Sequence, residues 1–405
     1  MRILMLTQWF DPEPTFKGLA FAKELVRLGH EVEVLTGFPN YPGGKLYDGY
    51  KVRLLQRENI DGISVLRVPL YPSHDSSALK RIANYVSFAF SAAFMGALLV
   101  KPADVMYVYH PPATVGFAAS IISMVRRIPF VYDIQDLWPD TLAATGMLNN
   151  PGILRLIDSG CRIIYRQAAK IVVLSPGFKE MLVTRGVPAK KIEVIYNWCD
   201  EENIQRENAV TGIDEKFGLA GKFNIVFAGT MGKAQALDAV LDAAKIINCS
   251  QQKVQFVFVG GGIDVERLKQ RSVDMVLHNV LFLPRMPMQD IGSVLTRADV
   301  LLVHLRDDPL FKITLPSKTQ AYMAAGRPIL MAVRGDAARL VENAEAGLTC
   351  IPEDSQSIAA AVERFCRMSR QELDDMGERG RKYYETELSL PVGVKKFESV
   401  FESIE

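Results

Sequence analysis

The chain has 405 residues, of which 49% are hydrophobic and 23% charged, and a formal net charge of +1. That length exceeds a single ordinary core and predicts two domains, while the near-zero charge leaves no footprint for nucleic-acid binding. The five cysteines (Cys161, Cys199, Cys249, Cys350 and Cys366) contain no Cys-x-x-Cys pair, which argues against a disulfide framework or a zinc site and suits a reducing cytosol.

Met1–Thr7 is apolar and then enters a polar loop, the pattern of a first strand rather than of a signal peptide. Further strands are expected at 31–36, 64–68, 105–109, 130–134, 171–174 and 193–196. Helices are expected at 19–28, 82–100, 113–126, 153–167 and 177–185. Residues 37–62, with Pro39-Asn40-Tyr41-Pro42-Gly43-Gly44, break this rhythm and read as a long functional loop. The apolar run Tyr85–Val100 follows Lys80-Arg81; it reads either as a helix packed on a sheet or as an interfacial helix meeting lipid. Residues 1–200 hold 22 Lys/Arg against 17 Asp/Glu, an excess that suits an anionic surface or acidic acceptor, or is ordinary scatter.

The polar stretch 201–221 reads as a linker. Strands then resume at 224–228, 255–259, 280–283, 300–303 and 329–333, so a second domain repeats the first architecture. Continuous apolar strands alternating with helices mean parallel sheets covered on both faces. From Ser369 onward the chain is helical, and Val394, Phe397, Val400 and Phe401 share one face of a final helix.

Candidate chemistry gathers at the carboxyl ends of the strands. Gly229-Thr230-Met231-Gly232-Lys233 ends one strand; its glycines would let amides approach a phosphate, and Lys233 would add a cation. Gly260-Gly261-Gly262 ends the next and implies close backbone approach to a ligand or a helix. Val265 at the third glycine position rules out the dinucleotide fingerprint. After Phe282-Leu283-Pro284, Arg285 reads as a stacking group for a base or as a surface residue. Leu315-Pro316-Ser317-Lys318 opens a short helix through Gln320 that Gly326 and Pro328 close; Lys318 in its first turn opposes the helix dipole and so points to an anion. In the first half the candidates are Gln135 and Asp136 before Trp138, His110 before a Pro-Pro stop, and Glu13 and Gly18 in a rigid loop after the first strand. His30, His74, His278 and His304 read as structural. No Asp-x-Asp, Gly-x-Ser-x-Gly or Walker loop is present, so a metal–diphosphate clamp, a serine hydrolase and a P-loop kinase find no support.

The loop Gln8–Pro14, Asp136-Leu137-Trp138-Pro139, Ser175-Pro176-Gly177, Tyr196–Asp200, Gly229–Gln235 and Pro316–Pro328 together resemble glycosyltransferase family 4, in its bacterial O-antigen and exopolysaccharide branch. The resemblance implies an α/β GT-B fold: two Rossmann-like, doubly wound parallel-sheet domains facing a central cleft. An acceptor domain would span 1–205, with a C-terminal helix at 388–405 packing back onto it, and a nucleotide-sugar domain 206–387. It implies a retaining, metal-independent hexosyltransferase without cofactor. The donor would be a UDP-sugar such as UDP-glucose or UDP-N-acetylhexosamine, and the acceptor a saccharide or polyprenyl-linked saccharide. The setting would be cytoplasmic, with peripheral membrane contact as an option. Lys318, Lys233 and amides near Gly229 and Ser317 would neutralise the leaving diphosphate, with Gly18 close to it. Gln135, Asp136 and His110 would orient hydroxyls, and Glu13 would line the acceptor side. Two glutamates usual in the family fall on Ile313 and Ala321, so ribose would be held by Gln320 or a backbone group. That departure keeps a non-catalytic sugar-nucleotide-binding protein open, and a UDP-sugar 2-epimerase shares the architecture.

Overall fold

The computed structural model describes residues 1–73, 78–144, 148–201, 204, 217–248 and 253–404. His74, Cys249 and most of the expected linker lie outside these residues. The chain forms two compact units, Met1–Tyr196 with Gly393–Glu405, and Asn197–Val392. The first division falls ahead of the expected residue 205 because Cys199 and Glu201 bond within the second unit. The Tyr384 hydroxyl accepts from the Cys199 N–H (3.2 Å) and donates to Glu201 (2.8 Å), whose carboxylate also accepts from the Leu390 N–H (2.9 Å).

In the first unit eight strands run β1 Arg2–Leu6, β2 Glu31–Gly37, β3 Gln56–Ile60, β4 Ile63–Val68, β5 Val105–His110, β6 Phe130–Ile134, β7 Lys170–Val173 and β8 Ile192–Val194. The helices are α1 Leu19–Arg27, α2 Ala78–Leu99, α3 Thr114–Arg126, α4 Asp140–Ala144, α5 Pro151–Gln167 and α6 Pro176–Thr184. The sheet order is β3-β4-β2-β1-β5-β6-β7-β8, and only β3 is antiparallel to its neighbour. Strands β5 and β6 are buried along their whole length, because helices cover both faces. Strand β3 corrects the reading of 37–62 as one loop. Asp61 (φ 49°) and Gly62 (φ 91°) turn a two-residue hairpin that pairs Ile60 with Ile63. The Asp-Gly pair is the sequence signal for it; β3 itself is an exposed edge with little apolar pattern.

The second unit holds β9 Phe223–Thr230, β10 Val254–Gly261, β11 Val280–Leu283, β12 Val300–His304, β13 Ile329–Ala332 and β14 Gly347–Thr349, in the order β11-β10-β9-β12-β13-β14. Its helices are α7 Asp238–Asn248, α8 Val265–Asp274, α9 Met288–Leu295, α10 Pro309–Lys312, α11 Lys318–Ala324, α12 Asp336–Asn343, α13 Ser355–Arg367 and α14 Arg370–Tyr383. Phe227, Phe256, Phe258, Leu302 and Leu330 anchor its core. Both sheets are doubly wound, with strand order reversing between β1 and β5 and between β9 and β12.

The closing helix, α15 Leu390–Glu402, buries Val394, Phe397 and Phe401 in the first unit. The Phe397 ring meets Phe21 (5.3 Å) and Tyr107 (5.4 Å) edge-on and lies 4.7 Å from the Lys17 ammonium. Phe397→Ala should therefore destabilise the first unit by about 3–5 kcal/mol, read as a lowered denaturant midpoint. A midpoint within error of wild type would show that this helix contributes no core.

Candidate functional site

In the second unit the reversal of strand order puts the carboxyl ends of β9 and β12 side by side, and α11 begins 14 residues after β12 ends. The Lys318 ammonium is buried, lies 3.6 Å from the centroid of the Phe227 ring, and has no hydrogen-bond partner among the described residues. A methyl added at Gly229 would stand 3.1 Å from it, so the ammonium lies against the Gly229 backbone. Gly229 and Thr230 are themselves exposed. Burial pushes the Lys318 amine down to about 7. The result is a buried amine with no counter-charge among the described residues, beneath an exposed, glycine-lined backbone.

Two side chains hold this backbone in place. The Tyr322 hydroxyl accepts from the Ala228 N–H (2.9 Å) and donates to its carbonyl (3.3 Å), fixing α11 to the end of β9. His304 Nδ1–H donates to the Gln235 carbonyl (2.7 Å), and its Nε2 accepts from the Glu353 N–H (3.1 Å). Gln235 in turn accepts from the Gly232 N–H (3.1 Å). Both ring nitrogens are used with the imidazole neutral, and burial, helped by Lys318, lowers its pKa further. His304 therefore braces the 229–235 loop, in keeping with its reading as a structural histidine; the loop it braces could not be read from the sequence.

Several expected donor-site residues do other work. At Gly260 (φ 141°) a Cβ would come 2.0 Å from the Gly229 carbonyl oxygen, and at Gly262 (φ 146°) 2.1 Å from that of Met231. The close approach is thus to the backbone at the end of β9 and at Met231 just after it, not to a ligand or helix, and of the three only Gly261 faces open space. Met231, Leu283 and Leu315 are buried and Phe282 stacks on Phe258 at 5.1 Å, so these side chains serve packing. Gln320 is buried. In the orientation its neighbours require, its amide donates to the carbonyls of Pro316 (3.0 Å) and Ser317 (3.2 Å), so it is not free to hold ribose. Ser317 has helical backbone angles and caps nothing with its side chain. Pro316 is half-buried, while Lys233 and Arg285 are exposed.

In the first unit, Glu13 is buried rather than lining a surface. Its oxygens accept from the amides of Asn40 and Tyr41 (both 2.7 Å) and Phe10 (3.2 Å), and burial raises its carboxyl to about 7. Gly18 opens α1, but Asp11 already accepts the Leu19 N–H (2.6 Å), and a Cβ at Gly18 would meet that carboxylate at 2.2 Å. A carboxylate thus occupies the position expected to lie near a phosphate. His110 is buried, edge-on to Trp138 (6.0 Å) and Tyr132 (5.7 Å), with Nδ1 unpartnered among the described residues. Burial depresses it to about 3, so it is a neutral ring and not a base at physiological pH. Asp136 is half-buried with its carboxyl pulled upward by burial. Gln135 donates to Asp133 (2.6 Å). Asp133 also pairs with the fully buried Lys17 (2.5 Å) and accepts from the Tyr107 hydroxyl (2.6 Å), a network that sequence reasoning did not find. Asp133 was visible only as a carboxylate inside an otherwise apolar strand. No group of three or more His, Cys, Asp or Glu side chains is placed to hold a metal among the described residues.

A glycosyl transferase 4-like domain matches residues 19–198, and a glycosyl transferases group 1 domain matches 211–383. The chain belongs to glycosyltransferase family 4, with the GT-B fold. It is 25% identical to the Pseudomonas aeruginosa protein WbjE, assigned as a glycosyltransferase, over 71% of each chain. It is 24% identical to Escherichia coli K12 WcaI, assigned as a colanic acid biosynthesis glycosyl transferase, over 89% of this chain and 91% of that protein. Among solved structures, Anabaena HepE in complex with UDP and glucose superposes over 99% of each chain with a TM-score of 0.70 at 18% identity. Sucrose-phosphate synthase from Thermosynechococcus elongatus gives 0.74 at 15%, over 100% of this chain and 98% of that one.

The glycine contacts predict a sharp contrast. Gly260→Ala drives a methyl into a carbonyl oxygen and should cost at least about 2 kcal/mol, whereas Gly261→Ala should stay within about 1 kcal/mol of wild type. Denaturant midpoints of the two variants check this; equal losses would contradict the assignment of close contact to Gly260.

Proposed function

We propose that the chain is a retaining transferase that moves a sugar from a UDP-sugar, such as UDP-glucose or a UDP-N-acetylhexosamine, to a saccharide acceptor on a lipid carrier. The reading rests on one observation: the Lys318 ammonium is buried and unpartnered beside the exposed backbone of Gly229 and Thr230. A desolvated cation with no counter-charge is costly, and a diphosphate seated on the Gly229–Thr230 backbone supplies what it lacks. The relatives support the donor class, since the HepE structure carries UDP and glucose. The assignment of WcaI to colanic acid biosynthesis supports a role in bacterial exopolysaccharide or O-antigen assembly.

In this reading the bond from the anomeric carbon to the diphosphate oxygen breaks while the acceptor oxygen bonds to that carbon. The departing phosphate oxygen takes the acceptor proton. Charge grows on the diphosphate, and Lys318 stabilises it, assisted by the exposed Lys233. The ammonium performs the neutralising role, so no metal ion or other cofactor is assigned. Gln135 and Asp136 are assigned to the acceptor. Ribose recognition falls to backbone groups, because Gln320 is committed and Lys318–Ala324 contains no carboxylate.

Calorimetric titration with UDP in EDTA should show binding that ADP and GDP do not match. With donor and acceptor supplied, Lys318→Ala should lower turnover by roughly 10²–10³-fold. Its melting temperature should not fall below wild type, because an unpartnered ammonium contributes little to stability. Near-wild-type turnover of Lys318→Ala would refute the assignment. UDP binding with no transfer from any donor would leave a sugar-nucleotide-binding protein, the reading that Ile313 and Ala321 favour.

A further inference from the structure

The three longest helices of the first unit form one layer. The crossovers from β4 to β5, β5 to β6 and β6 to β7 all step in the same direction along the sheet, and right-handed connections place α2, α3 and α5 on one face. They pack directly: a Cβ on Gly96 of α2 would meet Ile122 of α3 at 2.5 Å, and one on Gly160 of α5 would meet Phe117 of α3 at 2.6 Å.

The inner side of α2 is satisfied. Phe88, Ala92 and Gly96 are buried, and Asn84 exchanges hydrogen bonds with Gln8 (2.6 Å) and the Tyr71 carbonyl (2.7 Å). Its outer side is apolar throughout: Leu79, Ile82, Val86, Phe90, Phe94 and Leu98 follow at intervals of three or four residues and are all exposed, Phe90 by 75% and Phe94 by 65%. Ile121 and Met124 of α3 and Leu156 of α5 extend the same outward apolar surface across the layer. Soluble surfaces seldom carry so many large apolar side chains together without an occupant.

Charge selects the occupant. Helices α2 and α3 contain no Asp or Glu, and the single carboxylate on α5, Asp158, is paired with Arg162 (2.8 Å). The same three helices carry Lys80, Arg81, Arg126, Arg155, Arg162 and Arg166. A second copy meeting this layer face to face would bring two arginine-rich rims together with no spare carboxylate between them. An anionic bilayer matches both features, accepting the apolar side chains below its head groups and the cations at their level. Helix α2 is apolar and long enough to cross a membrane by length and composition, but spanning would break the polar bonds of Asn84 and the packing of its inner side against the unit, which favours an in-plane orientation.

We propose that the outer face of the α2–α3–α5 layer is a membrane-docking surface for anionic lipid, inserting Phe90 and Phe94 among the acyl chains. The full-length protein should float with vesicles in which roughly a third of the phosphatidylcholine is replaced by phosphatidylglycerol, and much less with phosphatidylcholine alone. Phe90→Ser/Phe94→Ser and Arg155→Gln/Arg166→Gln should each lower partitioning at least about tenfold, with added salt weakening the wild type further. These positions are exposed and lie outside the second unit, so UDP titration of both variants should match wild type, which separates this test from that of the proposed activity. The proposal is overturned if wild type stays in solution with anionic vesicles, or if Phe90→Ser/Phe94→Ser floats as well as wild type. It is also overturned if sedimentation equilibrium shows a dimer that this double substitution abolishes, for then the face joins two copies of the chain.

Discussion

A lysine amine held out of water without a counter-ion is the constraint around which the second unit is organised. Lys318 sits over the face of Phe227, which offsets only part of the lost hydration. The sequence between Pro316 and Pro328 cannot be understood as a stable helix alone, since it places a cation at a positive helix end. It makes sense when α11 is seen as a rod, tied to Ala228 through Tyr322, that holds Lys318 against the end of β9. The glycines at 229, 260 and 262 then each have a cause. Those at 260 and 262 let the backbone at the end of β10 come so close to that at the end of β9 and at Met231 that no side chain fits between them, while the missing Cβ of Gly229 leaves room for the Lys318 amine.

The first unit is built on a different economy of charge. Its conspicuous carboxylates are consumed by the fold: Glu13 binds three amides, Asp11 caps α1, and Asp133 is shared by Lys17, Tyr107 and Gln135. The Lys17–Asp133 pair lies fully buried beneath Phe397 of the returning helix. Removing either partner would leave an unpaired charge in the interior, which is strongly destabilising even where the pair itself adds little net stability. Of the two half-buried carboxylates in the 135–140 segment, Asp140 is paired with Arg185 (2.6 Å), so Asp136, rather than Glu13 or His110, carries the acceptor assignment.

The parallel architecture was legible because buried strands such as Val105–His110 and Phe130–Ile134 are continuous apolar runs. The edges were not. Gln56–Ile60 and Gly347–Thr349 are short and little buried, and only the Asp61-Gly62 turn announces the first of them. At the site, Lys318 and Gly229 were legible because a cation in the first turn of a helix and a glycine after a strand each break a local rule. Side chains such as Phe282, Met231 and Gln320 were misread because motif position says where a residue stands along the chain but not which way it faces. Tyr322, and the partners of the structural His304, were invisible for the converse reason: they act through the backbone of residues far away in sequence.

The central claim is that a diphosphate completes the charge of Lys318, and proton linkage tests it most directly. In the free protein the amine sits near 7, well below its unfolded value of 10.5. The unfolded chain therefore binds more protons across that window, and this residue's contribution to stability rises with pH through it. A bound diphosphate restores the ammonium, so binding must draw in a proton. UDP titrations at about pH 8.5 in buffers of different ionisation enthalpy should show uptake approaching one proton in wild type and none in Lys318→Met, with affinity falling up to about tenfold per pH unit. Binding without proton uptake, or the same uptake in both proteins, would contradict the account.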